Sequence, residues 1–201
     1  MAVFMKPIIM DRDGVINEDS DTYIKTVDEW VPIAGSLEAI ALLTYSGYST
    51  VVATNQSGLA RGLFDGATLA AMHEKMLSKV EALGGAIAGV FVCPHGPNEG
   101  CNCRKPATGL FEQIEAELQC KLAGTFMIGD SLKDVQAAVA YDMRPVLVRT
   151  GKGLKTESLL NAETKQKVPV YDNLRQAVEH LILPETVSTH PLNFNHQHLP
   201  V

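Results

Sequence analysis

The chain has 201 residues, with 17 Lys and Arg against 23 Asp and Glu, and a formal charge of −6 at pH 7. Its 46% hydrophobic and 20% charged composition supplies one core of ordinary size and excludes wholesale disorder. The acidic balance excludes broad nucleic-acid binding, and no apolar run approaches the roughly 20 residues of a membrane span. An acidic protein that handles an anion would then need positive charge held locally. Residues 7–10 form a short apolar strand that stops at Asp11-Arg12-Asp13-Gly14. Residues 36–46 carry apolar side chains at helical spacing, with Ser36 as the expected N-cap and Gly47 as the stop. Residues 50–53 are a second strand running into Thr54-Asn55-Gln56-Ser57-Gly58. A long amphipathic helix over 67–83 closes at Gly84-Gly85, and residues 90–92 are a third strand leading into a cysteine cluster.

A helix over 109–119 follows, with Cys120 placed in it as apolar filler. Residues 126–128 form a fourth strand ending at Gly129-Asp130. Then come a helix over 132–141, a fifth strand at 145–148 and a last helix near 173–182. Lys6 and Pro7 break the N-terminal apolar stretch, so it is expected to be a strand and not a signal peptide, in a cytoplasmic protein. Residues 1–183 are expected to form a single domain and 184–201 a mobile tail, in which His196 and His198 are not expected to bind metal.

Strands alternating with helices imply crossover connections. The fold class is therefore α/β, an open, mainly parallel Rossmann-like sheet with helices on both faces and no large cap domain. The lack of such a domain favours a compact monomer. In open α/β sheets the ligand crevice lies at the carboxyl ends of the strands. Asp11, Thr54, Cys93 and Asp130 each follow a strand directly, so four polar strand ends are expected to converge.

Asp11 and Asp13 leave an apolar strand together, and Asp13-Gly14 alone could be a simple turn. Asp130, with Asp134 close behind it, brings further carboxylates to the same crevice. Such groups would repel one another without a divalent ion, and hard cations choose oxygen ligands. Mg²⁺ beside a nucleophilic carboxylate accounts for them. Thr54 to Ser57 could cradle phosphate oxygens, or merely cap a helix. Lys105 could be a surface residue, but beside a metal and carboxylates it suits a phosphoryl group. Cys93, His95, Cys101 and Cys103 form two close pairs on a Gly- and Pro-containing loop. They can surround one tetrahedral Zn²⁺ and leave no open position, which points to a structural role.

Asp11-Arg12-Asp13-Gly14-Val15-Ile16-Asn17, Thr54-Asn55-Gln56-Ser57-Gly58, Cys93-Pro94-His95, Cys101-Asn102-Cys103-Arg104-Lys105-Pro106 and Gly129-Asp130-Ser131 occur in this order. Together they resemble the haloacid-dehalogenase superfamily, in its zinc-containing branch of sugar and histidinol phosphatases. The resemblance covers about residues 7–182. It implies Asp11 as nucleophile forming an aspartyl-phosphate, and Asp13 as general acid and then base. It implies Mg²⁺ on the Asp11 carboxylate, the Asp13 carbonyl and Asp130, with Thr54 and Lys105 holding phosphoryl oxygens. Arg104 and the segment around Asn17–Tyr23, with Asp19, Thr22 and Tyr23, would help recognise the sugar, and Asn55, Gln56 and Ser57 would also bind substrate. Lys133 would be a nearby cation with Asp134 as its partner. Residues 57–64 and Val148-Arg149-Thr150-Gly151 look like the heptose-bisphosphate group, which implies removal of a 7-phosphate during synthesis of lipopolysaccharide-core heptose. The alternatives are a histidinol-phosphate phosphatase, whose enzymes share the short spacer between zinc-ligand pairs, and a non-catalytic sugar-phosphate-binding protein.

Overall fold

The computed structural model describes residues 6–184. Strands β1 (Lys6–Met10), β2 (Tyr48–Asn55), β3 (Ile87–Cys93), β4 (Phe126–Gly129), β5 (Arg144–Val148) and β6 (Val170–Tyr171) form one sheet in the order β3-β2-β1-β4-β5-β6. Each neighbouring pair is parallel, as the alternation of elements requires. The α-helices are α1 (Ser36–Tyr45), α2 (Gly66–Glu81), α3 (Gly109–Leu118), α4 (Leu132–Ala140), α5 (Gly153–Leu159), α6 (Ala162–Lys167) and α7 (Leu174–Ala177).

The strands are apolar on both faces, and the two-residue period sorts their side chains into opposite cores. Ile8, Met10, Val52, Ile128 and Val146 face one core, built with Leu37, Ile40 and Leu43 of α1 and Met72 and Met76 of α2. Ile9, Val51, Ala53 and Met127 face the other, against Leu110, Phe111 and Ile114 of α3 and Ala137 and Ala138 of α4. Truncating a fully buried side chain such as Ile9 to Ala would cost about 2–5 kcal/mol.

Several helix ends differ from the sequence reading. Gly35, in a left-handed conformation at φ 83°, precedes α1, and the Ser36 hydroxyl donates to the Ile16 carbonyl at 2.6 Å instead of capping. Gln119 ends α3 at φ 49°, so Cys120 lies just outside the helix, partly buried against the α3 core. The last helix is short: α7, capped by Asn173, continues as a π-helical turn over Val178–Ile182. Helices α5 and α6 and strand β6 were not expected. Residues 185–201, and with them most of the expected tail, lie outside the described residues, as do residues 1–5. No helix among the described residues is long and apolar enough to cross a membrane.

Candidate active site

Strand order reverses beside β1, whose neighbours are β2 and β4, and this is where an open sheet leaves a crevice. The Asp11 N–H donates to the Ile128 carbonyl at 3.0 Å, which places the end of β1 next to the end of β4 and hence beside Asp130. Lys105 reaches in from the loop after β3. Its Nζ lies 3.1 Å from Asp11 Oδ2 and 2.6 Å from Asp134 Oδ1, and it donates to the Ala53 carbonyl at 2.7 Å. That ammonium is 1% exposed. Asn55 fixes the Lys105 backbone: its amide accepts from the Lys105 N–H and donates to the Lys105 carbonyl, each at 3.0 Å. The β2–β3 register pairs Asn55 with Cys93, so the strand pairing and the Lys105 loop are tied together.

Asp11, Asp130 and Asp134 bring one carboxylate oxygen each to within 4.8 Å of one another. Burial, with the charges of Asp134 and Asp11, pushes Asp130 up to about 8. Burial also raises Asp11 to about 6, although Lys105 opposes it. Three carboxylates, Asp130 and Asp134 buried and Asp11 partly so, crowd around one ammonium as hard oxygen donors, and a divalent ion such as Mg²⁺ fits that donor set. Asp134 does not partner Lys133 as expected. It starts α4, where its carboxylate accepts from the Ser131 N–H at 3.0 Å and the Ser131 hydroxyl at 2.6 Å, and it faces Lys105. Gly14, at φ 80°, and Gly151 both press on Asp130, and a Cβ on either would collide with its Oδ2. The Lys152 N–H donates to the same oxygen at 2.7 Å.

Asp13 points away from that carboxylate group. Arg12 Nε and Nη2 donate to its Oδ1 at 3.0 and 2.9 Å, Asn17 donates at 2.8 Å, and Gln56 Nε2 donates to its Oδ2 at 2.8 Å. Burial works against the charge, but the Arg12 guanidinium and these hydrogen bonds win and hold Asp13 below the usual carboxylate range. Gln56 also donates to the Thr54 hydroxyl at 2.9 Å, and its carbonyl accepts from Arg12 at 3.1 Å. Arg12 itself is fully buried, and Nη1 lies 3.1 Å from His73 Nε2. A guanidinium cannot accept, so the imidazole must, and His73 is neutral. Burial, then Arg12, lowers its pKa to about 4.

A cavity of about 450 Å³ opens over these groups. Asp11, Asp13, Asp19, Tyr23, Thr54, Asn55, Gln56, Ser57, Arg104 and Asp130 line it, whereas Thr22 is exposed beside it and shares a hydrogen bond with Ser20. Asn55 and Gln56 have their amides committed to protein partners, so they position neighbours more than they meet a ligand. Tyr23 holds φ 69°, with the Arg61 guanidinium 5.7 Å from its ring centre. Lys152, Lys155, Thr156 and Leu159, on or beside α5, form a wall that the sequence reading missed. The signal was present: Thr150 to Lys152 follow β5, a fifth polar strand end.

The cysteine cluster is assembled 3.1–3.7 Å apart: Cys93 Sγ lies 3.7 Å from Cys101 Sγ and 3.1 Å from Cys103 Sγ, and His95 Nδ1 lies 3.3 Å from Cys103 Sγ. All three cysteines are free thiols. Ligands of a tetrahedral Zn²⁺ stand about 3.4–3.8 Å apart, so the cluster is compatible with that ion. Arg104 bridges this loop to the cavity, donating from Nη1 to the His95 carbonyl at 3.1 Å.

A strand order reversing at an aspartate-bearing strand, with a second acidic strand end and a buried lysine beside it, defines the class of haloacid-dehalogenase-like hydrolases. The HAD-hydrolase-like family model matches residues 102–177. A D-glycero-beta-D-manno-heptose-1,7-bisphosphate 7-phosphatase of Bordetella bronchiseptica is 48% identical over 178 residues, 89% of this chain and 98% of that one. The Pseudomonas putida protein of the same name is 48% identical, over 89% of this chain and all of its own length. The crystal structure of a D,D-heptose 1,7-bisphosphate phosphatase from B. bronchiseptica, complexed with magnesium and phosphate, superposes with a TM-score of 0.84. It is 47% identical and covers 90% of this chain and 99% of its own. The chain belongs to the D-glycero-beta-D-manno-heptose-1,7-bisphosphate 7-phosphatase family.

Proposed function

We propose that the protein removes the 7-phosphate of D-glycero-β-D-manno-heptose 1,7-bisphosphate by way of a phosphorylated Asp11. One observation carries the chemistry: the Asp11 carboxylate ends β1 at the floor of the cavity, flanked by buried Lys105 and by Asp130. The sugar and its β anomer are supported by the relatives' names.

An Asp11 oxygen attacks phosphorus, and the phosphoryl group passes from the sugar oxygen to the carboxylate. Lys105 and the Thr54 hydroxyl meet the phosphoryl oxygens. Arg12 keeps Asp13 ionised in the free site. The substrate's negative charge beside Asp13 raises its pKa so that it takes up a proton on binding, and it gives that proton to the departing sugar oxygen. Asp13 then takes a proton from the water that cleaves the acyl-phosphate and regenerates Asp11. Arg12, Asn17 and Gln56 orient Asp13 throughout. Asp11, Asp130 and the Asp13 carbonyl would hold Mg²⁺, with Asp134 close by, and the ion would offset charge on the phosphoryl oxygens. Zinc on Cys93, His95, Cys101 and Cys103 would fix the loop that carries Arg104 and Lys105.

The test is a set of kcat/KM values for the α and β heptose 1,7-bisphosphates, heptose 1-phosphate and histidinol phosphate. The β bisphosphate is expected to be highest. A histidinol phosphate value above both bisphosphates would overturn the substrate.

A further inference from the structure

Helix α2 contributes no residue to the cavity, yet one of its side chains reaches the network around Asp13. Met72 and Met76 bury one stripe of the helix in the core, and at 3.6 residues per turn His73 and Lys75 flank that stripe on either side. Lys75 Nζ donates to the Val27 and Trp30 carbonyls at 2.6 and 2.8 Å, which ties α2 to the loop after β1. His73, half-buried, meets Arg12. The guanidinium divides its donors: Nε and Nη2 go to Asp13, Nη2 also goes to Gln56, and Nη1 goes to His73 Nε2 alone among the described residues. Asp13 and Gln56 therefore hold one edge of the guanidinium plane, and His73 holds the nitrogen that lies off that edge. Without an acceptor there, a buried N–H is left unpaired, so the plane turns towards another partner or admits water. Either response moves the donors that aim the Asp13 carboxylate.

We propose that His73 is a positioning residue for proton transfer: through Arg12 it sets the angle at which Asp13 faces the departing sugar oxygen and, afterwards, the attacking water. The role rests on the assignment of Asp13 as general acid and base given above. In the first step the bond between phosphorus and the sugar oxygen breaks, its electron pair stays on that oxygen, and the Asp13 proton joins it. In the second, water gives one proton to Asp13 while its oxygen bonds to phosphorus, and the bond from phosphorus to Asp11 breaks. Both transfers need one distance and one direction at Asp13, and a misplacement of about 1 Å costs as much as about a hundredfold. Asn17 and Gln56 still donate to Asp13 when His73 is gone, so the carboxylate is misaimed and not released, and the loss is smaller, about tenfold.

The experiment separates proton transfer from the rest of the chemistry by leaving group. A sugar oxygen needs the Asp13 proton to depart, whereas 4-nitrophenolate departs without one. First-turnover rates are measured at saturating substrate, with Mg²⁺, for heptose 1,7-bisphosphate and for 4-nitrophenyl phosphate. His73→Leu, which has no acceptor, should lower the sugar rate about tenfold and leave first-turnover nitrophenolate release within about twofold of wild type. That release also shows that Asp11 and Lys105 remain assembled in the variant. Its later turnovers of 4-nitrophenyl phosphate should slow, because hydrolysis of the acyl-phosphate still needs Asp13 as base, and hydroxylamine should trap more acyl-phosphate than in the wild type. His73→Gln, which restores an uncharged acceptor, should recover the sugar rate. Asp13→Asn should show the same selective loss, only larger. If Asp13→Asn is selective and His73→Leu is not, the positioning role is overturned and the general acid stands. A His73→Gln variant no better than His73→Leu also overturns it, since the acceptor is then not what matters. If neither Asp13→Asn nor His73→Leu is selective, Asp13 is not the acid and the role of His73 falls with it. If the wild type prefers another sugar phosphate, only the heptose assignment fails, and the comparison made with that compound decides the role.

Discussion

The Lys105 ammonium stands 2.6 Å from the Asp134 carboxylate, and each side chain is 1% exposed. Two charges so deeply buried are tolerated only as a pair, and removing one strands the other at a cost of about 3–5 kcal/mol. Lys105→Met would strand two, since Asp11 shares the same ammonium. Stability should fall by that amount, read from urea unfolding, and Mg²⁺ should restore more of it than it adds to the wild type. Phosphate release should drop at least a thousandfold if Lys105 is the cation that meets the phosphoryl oxygens, as proposed. A variant of parental stability and turnover would mean that Lys105 neither balances the carboxylates nor meets substrate.

Asp11 lies at the junction of β1, β2 and β4, where its backbone is fixed by the Ile128 carbonyl. Asp11→Asn keeps this geometry and replaces one carboxylate oxygen, and with it the charge that the proposed nucleophile needs. Turnover should fall more than about ten-thousandfold, and hydroxylamine should trap an acyl-phosphate from the wild type and none from the variant. Hydrolysis by the variant at the parental rate would remove Asp11 from the chemistry.

The central strands and the acidic strand ends were legible because they combine two strong signals: an apolar run, and polar residues at its carboxyl end. Beyond the polar end of β5, residues 153–172 offered neither. Helix α6 buries none of its side chains, β6 has two residues, and α5 has seven, too few to show a period. Arg12 carries no role in the sequence reading, yet it is wholly buried and holds Asp13, and local sequence carries no mark of a buried arginine whose partners lie at positions 56 and 73. Cys120 falls outside the helix expected for it because α3 ends without a glycine, with Gln119 adopting the left-handed conformation.

Zinc should be present at one ion per chain in protein purified under reducing conditions. The loop of residues 94–108 has no regular secondary structure; Asn55 and Arg104 tie it down by hydrogen bonds, and zinc on the Cys93, His95, Cys101 and Cys103 cluster would hold the rest. Chelation should open it to proteolysis and lower activity about tenfold or more, since Lys105 lies two residues beyond the ligand Cys103. Zn²⁺ should restore the loss and added Mg²⁺ should not. Elemental analysis that finds no zinc would remove the metal from this loop.

His73 makes stability depend on pH with a definite sign. In the fold it stays neutral down to about 4, because it is half-buried and accepts from Arg12, whereas an unfolded chain protonates it near 6.5. Between these values the unfolded state binds more protons, so stability rises with pH. The contribution is complete above about pH 6.5 and is lost as pH falls towards 4, amounting to about 1–2 kcal/mol between pH 7 and pH 5. His73→Gln retains an uncharged acceptor for Arg12 and cannot titrate. Urea midpoints measured at pH 7 and pH 5 should therefore converge in the variant relative to the wild type. Equal pH slopes in the two proteins would mean that His73 is not the neutral acceptor of Arg12.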